Sequence, residues 1–554
     1  MSFKKSFISF FSILFIVACG GGGGGASEPT PAPTPAPTPA PTPAPTPAPL
    51  GATTINSCID GNCFDLIQIQ GNKEGETATG TATKELRTVY AYMDDFNEFS
   101  TYEGAEWPQV ITEENISVIQ LSNNLTQEIF GKNDDNQILI NGRPVYQYSE
   151  DESNTDVKGN ALDDSWYAFD SNGTTLAPII QIGSDLSSKN TTDSYASTVD
   201  ISQDGRVIAA GFLRDGVRIY SEANNEFTQI GEFPGDGPGW RNGWGGSLDL
   251  NLDGTVVAIA NPAEQVNDIN YVGLVKVYRY ESGEWAQIGD DLVGEGLENN
   301  YGREVQLSDD GKTLVIQAPG YSESYENNSY GKIYIYQFEN NDWILKTSIG
   351  NNNELRTFIG SNVQLSGDGK TLSYCYIEWI DGVREYEVLE VIDYEGGVLT
   401  MKGESFKIPW GSSSRCSSAL SSDGSRIVIS LDDDSESFEV FDYADGSWQR
   451  VGQKFSISTR ENGTGVDISA NGNRIVYGSD GRSVNDQKGR VAIFSLVNDE
   501  WVKIAPDIEG DQSNEQWGWA PVISHNGQRV ASWSQSYVNS DGFPDKRVRL
   551  FRLP

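Results

Sequence analysis

VDISQDGRVIAAG, residues 199–211, alternates apolar and polar side chains up to an Asp-Gly pair and then runs apolar again. Period-two alternation marks a half-buried strand, the Asp-Gly pair a turn that needs positive φ, and the apolar run a more deeply buried second strand, so the unit reads as a β-hairpin. It recurs as LDLNLDGTVVAIA (248–260), VQLSDDGKTLVIQ (305–317), VQLSGDGKTLSYC (363–375), SALSSDGSRIVIS (418–430), VDISANGNRIVYG (466–478) and PVISHNGQRVASW (521–533). The turn glycines are 49, 57, 58, 55, 48 and 55 residues apart. A third strand follows, as in GLVKVYRY (273–280), GKIYIYQF (331–338), SFEVFDY (437–443) and GRVAIFSL (489–496). A fourth carries an aromatic residue, Phe227, Trp285, Trp343, Trp448 or Trp501, often with QIG close behind.

Four strands repeated seven times at this period predict one blade per repeat of a closed β-propeller over residues 176–554. The last repeat stops after its third strand, RVRLFRL, while a spare fourth-strand sequence, PIIQIGSDL (178–186), precedes the first repeat. Ile179 to Ile182 are therefore expected to complete the blade whose inner strands lie at the C-terminus. One aromatic per blade at one strand position predicts packing between blades. Trp240, Trp244, Trp410, Trp517 and Trp519 fall outside that register, in Gly-rich stretches before first strands, and are the candidate ligand contacts.

With Tyr301 and Gly302 before a first strand and Ala318 and Pro319 after a second, as with Trp244, Gly245 and Pro262 in the preceding blade, the repeat resembles FG-GAP propeller repeats. Its SxDGK hairpin also resembles TolB-type repeats. FG-GAP blades often hold calcium in a DxDxDG loop with a further aspartate at the ninth position, since a hard cation takes six or more oxygens. Asp249, Asn251 and Asp253 before Gly254 come nearest, but the ninth position is Val257, and a plain Asp-Gly turn is expected there.

Residues 55–175 form a second region. YAYMDD (90–95) and YQYSED (146–151) share the pattern YxYxxD, each is followed by a tryptophan, Trp107 or Trp166, and QILINGRPVY between them contains an Asn-Gly turn. This predicts a small duplicated β domain and, with it, an all-β chain. Tyr90, Tyr92, Tyr146 and Tyr148 are expected to pack with the tryptophans, and Asp95 and Asp151 to close turns. The region resembles "secreted repeat of unknown function" lipoproteins, with one departure: Tyr102 and Ala105 stand where such repeats carry a cysteine pair.

Residues 1–18 have the layout of a secretory signal, with Lys4 and Lys5 ahead of an apolar run from Phe7 to Val17. IVAC (16–19) resembles the lipobox of bacterial lipoproteins, which implies lipidation of Cys19. Gly20 after the cysteine, where inner-membrane retention uses aspartate, implies the outer membrane by the same resemblance. Residues 19–54 follow as a hexaglycine and a PTPA repeat, a tether whose Pro-rich part spans about 65 Å as polyproline II.

Without the signal, 37 basic residues stand against 79 acidic, a formal charge of −42. Such a surface repels phosphate backbones, so no nucleic-acid partner is expected, and membrane attachment is left to the lipid anchor. Cys58 and Cys63 flank an Asp-Gly turn and are expected to pair outside the cytoplasm; Cys375 and Cys416, in neighbouring blades, either bridge or stay buried thiols. His525 is the only histidine, no GxSxG, P-loop or dinucleotide motif occurs, and no spacing singles out a carboxylate pair. The chain is therefore expected to be a monomeric, non-catalytic cell-envelope lipoprotein without cofactor or metal, displaying propeller loops to a protein or glycan. The alternatives are a periplasmic envelope-assembly scaffold and a propeller glycan hydrolase or lyase.

Overall fold

The computed structural model describes most of residues 51–554. Residues 1–50, 71–84, 188–194, 235–245, 321–330, 351–355, 410–415, 432–436, 457–462, 482–486, 539–543 and some shorter stretches lie outside the description. The signal, the lipobox with Cys19 and most of the tether are among them.

Each sequence repeat forms one four-stranded antiparallel sheet, with the hairpin on the inside and the aromatic strand on the outside. Blade 1 comprises Tyr195–Ile201, Val207–Leu213, Gly216–Ala223 and Glu226–Pro234. Blades 2 to 6 repeat this order from first strands Ser247–Leu250, Val305–Leu307, Val363–Leu365, Ser417–Leu420 and Gly463–Ile468. Blade 7 takes Trp519–Ile523, Arg529–Trp533 and Arg547–Arg552 from the C-terminal end. Its fourth strand is Ile180–Ser187, from ahead of blade 1, paired antiparallel with Arg547–Arg552 from Ile180↔Arg552 to Ser187↔Arg547. The spare strand thus closes the ring, as its sequence implied, and runs five residues further than expected.

Alternation along the strands gives each blade two apolar faces, so the core is seven clusters, one at every blade interface. The cluster between blades 7 and 1 joins Ile182, Val548 and Leu550 to Val199, Ile201 and Ile208. Cys375 and Cys416 form a disulfide inside the cluster between blades 4 and 5.

Glycine fixes the spacing at two radii. At all seven hairpin turns the glycine has φ between 63° and 72°, and a Cβ there would lie within about 3.1 Å of the residue opening the second strand of the preceding blade, for example Val207 at Gly254. Further out, the QIG-type glycine of one blade meets the aromatic of the next: Gly183 against Phe227, Gly231 against Trp285, Gly289 against Trp343, Gly403 against Trp448 and Gly452 against Trp501. Three of these indoles also donate Nε1–H across the interface, Trp343 to Ile288 O, Trp448 to Lys402 O and Trp501 to Val451 O. The recurrent tryptophans are thus inter-blade locks.

The N-terminal domain is a sheet ordered Gln120–Leu121, Gly51–Ile59, Asn62–Gln70, Leu86–Tyr92, on which Tyr146–Gln147 and Trp166–Ala168 both pair. Cys58 and Cys63 face each other in the first hairpin and form a disulfide. The duplicated motifs exchange partners: Tyr90 Oη donates to Asp151 Oδ2 at 2.6 Å, and Tyr146 Oη donates to Asp95 Oδ2. Each copy therefore satisfies the buried carboxylate of the other, and burial raises Asp151 to about 6. Asp95 and Asp151 also close turns, through N–H bonds to Tyr92 O and Tyr148 O. Trp107 and Trp166 stack at 3.8 Å, with Tyr90 edge-on to Trp107 and Tyr102 edge-on to Trp166.

Arg547 ties the closing strand in, pairing with Glu515, Asp511 and Asp185, and Glu515 is 0% exposed. Arg547→Met removes the charge-assisted bonds to Glu515, Asp511 and Asp185 and leaves Glu515 only Arg549 and the N–H groups of Asp511 and Gln512, so it is expected to destabilise the propeller by about 3 kcal/mol in urea titration. Deleting the last nine residues should abolish cooperative unfolding of the whole ring; a truncated chain that melts in one normal transition by calorimetry would show that closure does not carry stability.

Candidate functional site

The first strands enclose a central cavity of about 400 Å³. In the repeat VxIS the first and third positions are core, and the residue between them lines the cavity: Asp200, Asp249, Gln306, Gln364, Asp467 and Val522 in blades 1, 2, 3, 4, 6 and 7. Glu304, Asn362 and Asp309 add further polar groups, and among the described residues the lining contains no lysine or arginine.

An innermost strand has no inner neighbour, so its N–H groups must find acceptors across the channel wall. The carboxylates supply them in the same sense around the ring. Asp200 Oδ2 accepts from Leu250 N at 2.7 Å, Asp249 Oδ2 from Leu307 N at 2.6 Å, Glu304 Oε2 from Val363 N at 2.9 Å and Asp467 Oδ2 from Ile523 N at 2.8 Å. Asn362 Oδ1 does the same for Ser418 N at 3.1 Å, and Ser247 Oγ for Val305 N at 3.1 Å.

Burial inside the ring raises all four acids above their ordinary values. Glu304 and Asp467 reach about 7. Asp200 and Asp249 lie within hydrogen-bonding reach of each other; burial lifts both, and the charge of Asp200 pushes Asp249 higher still. Both carboxylates of the pair are fixed to backbone N–H groups of the next blade.

At one end the hairpin turns converge in an unbroken ring of backbone hydrogen bonds. Gln203 N donates to Leu252 O, Leu252 N to Asp309 O, Asp309 N to Gly367 O, Asp368 N to Ser422 O, Ser422 N to Ala470 O, Ala470 N to His525 O and Asn526 N to Gln203 O, over 2.7–3.2 Å. His525 Nδ1 sits 3.6 Å from Asp309 Oδ1, and Ser422 Oγ donates to Asp309 Oδ2 at 2.7 Å. The order is serine, aspartate, histidine. The hydroxyl meets the carboxylate and not the imidazole, so no base is placed to take its proton.

Among the candidate contacts, Trp240, Trp244 and Trp410 lie outside the described residues. Trp517 is corrected: at 1% exposure it is packed beside Phe551 with Arg549 over its ring, because blade 7 folds it into the interface with blade 6. Trp519 is half-buried and stacks on Trp533 at 5.4 Å. The Asp249 loop is a plain turn. Asp249 points across to blade 3, Asn251 Oδ1 accepts from Val256 N and Asp253 Oδ1 from Thr255 N, so the three oxygens do not converge. Among the described residues no group of three His, Cys, Asp or Glu has metal-ligating geometry. The channel acids escaped the sequence reading, although the x of VxIS, read as D, D, Q, Q, A, D and V, was their signal.

No protein-family model and no curated protein matches the sequence. Among solved structures, the β-propeller domain of Myceliophteria thermophila Cps50 (Swd1) is 12% identical with a TM-score of 0.44, over 66% of this chain and 99% of that one. Kuenenia stuttgartiensis hydrazine synthase is 14% identical with a TM-score of 0.42, over 62% and 94%.

Raised acids stabilise the fold while protonated. Between about pH 4 and 7 the folded state binds more protons than the unfolded one, and the contribution of Glu304 and Asp467 is lost as pH rises through about 7. The melting temperature of Glu304→Gln and Asp467→Asn variants is therefore expected to fall less between pH 5 and pH 8 than that of the parent. Parallel profiles would mean that these carboxylates titrate normally.

Proposed function

We propose that this chain is a lipid-anchored, non-catalytic binding scaffold of the cell envelope, which offers its loops and acidic channel to a protein or glycan. The observation that carries this reading is the use of the channel acids. Asp200, Asp249, Glu304 and Asp467 each hold a backbone N–H of the next blade, and Ser422 has no base. The acids belong to the frame, and a rigid frame with preformed polar walls suits recognition. Anchorage follows from the resemblance of IVAC to a lipobox and from the tether behind it, and Gly20 favours the outer membrane. The likenesses to secreted-repeat lipoproteins and to FG-GAP and TolB-type propellers agree with an envelope role and name no ligand.

A second reading, a propeller glycan hydrolase or lyase, draws on one feature, the adjacent buried carboxylates Asp200 and Asp249, of which burial and the charge of Asp200 lift Asp249 well above its ordinary value. Two measurements separate the possibilities. Protease treatment of intact cells is expected to release propeller fragments; protection until the outer membrane is permeabilised would favour the periplasmic assembly scaffold. On a broad glycan panel the full chain is expected to bind without releasing product. Turnover that falls at least a hundredfold in Asp249→Asn would replace the binding reading with the hydrolytic one.

A further inference from the structure

The N-terminal domain runs directly into the strand that closes the ring. Leu176 N donates to Ala168 O at 2.9 Å, and Ala177, 6% exposed, still packs in the core of that domain; Ile180 then opens the closing strand and pairs with Arg552. The same domain also reaches the other half of that pair. Asn141 and Gly142, with φ of 47° and 77°, form the tight turn between Ile138–Ile140 and Arg143–Pro144. That turn delivers Arg143, 3% exposed, to the end of blade 7, where Nη2 donates to Leu553 O at 3.3 Å, just beyond Arg547–Arg552.

The contact spans two blades. Asn141 shares a small cavity with Ser469, Asn471 and Ser495 of blade 6 and with Asn526 of blade 7. Asp170 of the N-terminal domain is the counter-charge that faces Arg474 of blade 6, and Arg474 in turn donates Nη1 to Gly527 O of blade 7 at 2.8 Å. The domain therefore lies over the interface between blades 6 and 7 as well as over the end of the closing pair.

This docking is loosely fastened. Arg143 Nη1, Arg552 Nε and Asn526 Nδ2 are buried and make no hydrogen bond, and water would satisfy each of them once the domain lifts. Burial, followed by the charges of Arg474 and Arg552, drives the Arg143 guanidinium well below its ordinary value, with Asp95 acting the other way. Like charges beneath the domain thus oppose docking, and the carboxylate of Asp170 favours it. We propose that the N-terminal domain is a releasable clasp on the ring: docked across blades 6 and 7 it holds the closing strand in place, and its undocking and the opening of Ile180–Ser187 are one event. The propeller then opens at blade 7 before any other blade.

Ser495 supplies the reporter. It is 6% exposed beneath Asn141 and its hydroxyl makes no hydrogen bond, so Ser495→Cys in the full chain places a thiol under the clasp without removing a contact. Undocking is read as the rate at which iodoacetamide labels that thiol, and opening of the closing strand as deuterium exchange of the amides of Ile180–Ser187. Asp170→Asn keeps the acceptor that Asn172 N and Thr174 N use and removes the charge that faces Arg474. It is expected to raise both rates at least tenfold and by the same factor, while exchange in Leu274–Glu281 of blade 2 stays unchanged. Faster labelling with unchanged exchange in Ile180–Ser187, equal acceleration in every blade, or no change in either rate overturns the proposal. If Asp170→Asn does not fold, the Ser495→Cys chain alone decides it: across sub-denaturing urea the two readouts must give the same opening equilibrium, and a tenfold gap between them overturns the clasp.

Discussion

Seven backbone hydrogen bonds, each from the hairpin turn of one blade to the turn of the next, run from Gln203 through Leu252, Asp309, Gly367, Ser422, Ala470 and His525 and back to Gln203. Everything else in the propeller is arranged so that this circle can close. A turn can approach its neighbour only if the glycine behind it has no Cβ, which is why Gly254 fits over Val207 and Gly527 over Arg474. Each bond contributes only about 0.5–1.5 kcal/mol net, but a ring leaves no free end, so the blades share one cooperative structure. Closure also requires the strand Ile180–Ser187 to leave its sequence neighbours and pair with Arg547–Arg552, 362 residues away at the Asp185–Arg547 contact.

The channel is the consequence of that circle. Seven inner strands cannot meet at the axis, so their edge N–H groups face water or a side chain. Aspartate and glutamate reach the next blade and take those donors, which makes the channel acidic, and burial lifts Glu304 and Asp467 to about 7 against the lowering effect of those N–H bonds. The same geometry makes the channel polar and commits its carboxylates to the frame. The N-terminal domain solves its own polar problem by exchange, Tyr90 to Asp151 and Tyr146 to Asp95, so that the duplication is also the reason its two halves stay together.

Local patterning made the architecture legible. Period two, an Asp-Gly or Asn-Gly turn and a repeat of about 50 residues are enough for blades, and the missing fourth strand of the last repeat pointed to Ile179 to Ile182, where the closing strand Ile180–Ser187 begins. The aromatic of each fourth strand was readable as packing because it recurs in register. Trp517 misled because the Gly-rich stretch around it resembles a loop. Trp517 is buried by Phe551 and Arg549, residues more than 30 positions away, which no local pattern reveals.

The amino-acid sequence by itself determined the strand, the turn, the number of blades and the direction of closure, because these follow from side-chain period and from where glycine permits positive φ. Only the tertiary structure decided which acids become channel groups, that Cys375 meets Cys416, and that Arg143 comes to rest among Arg474, Arg529 and Arg552. Those outcomes depend on which side chains from distant repeats share a space from which water is excluded. Burial and mutual charge are properties of that shared space, and they have no counterpart along the chain.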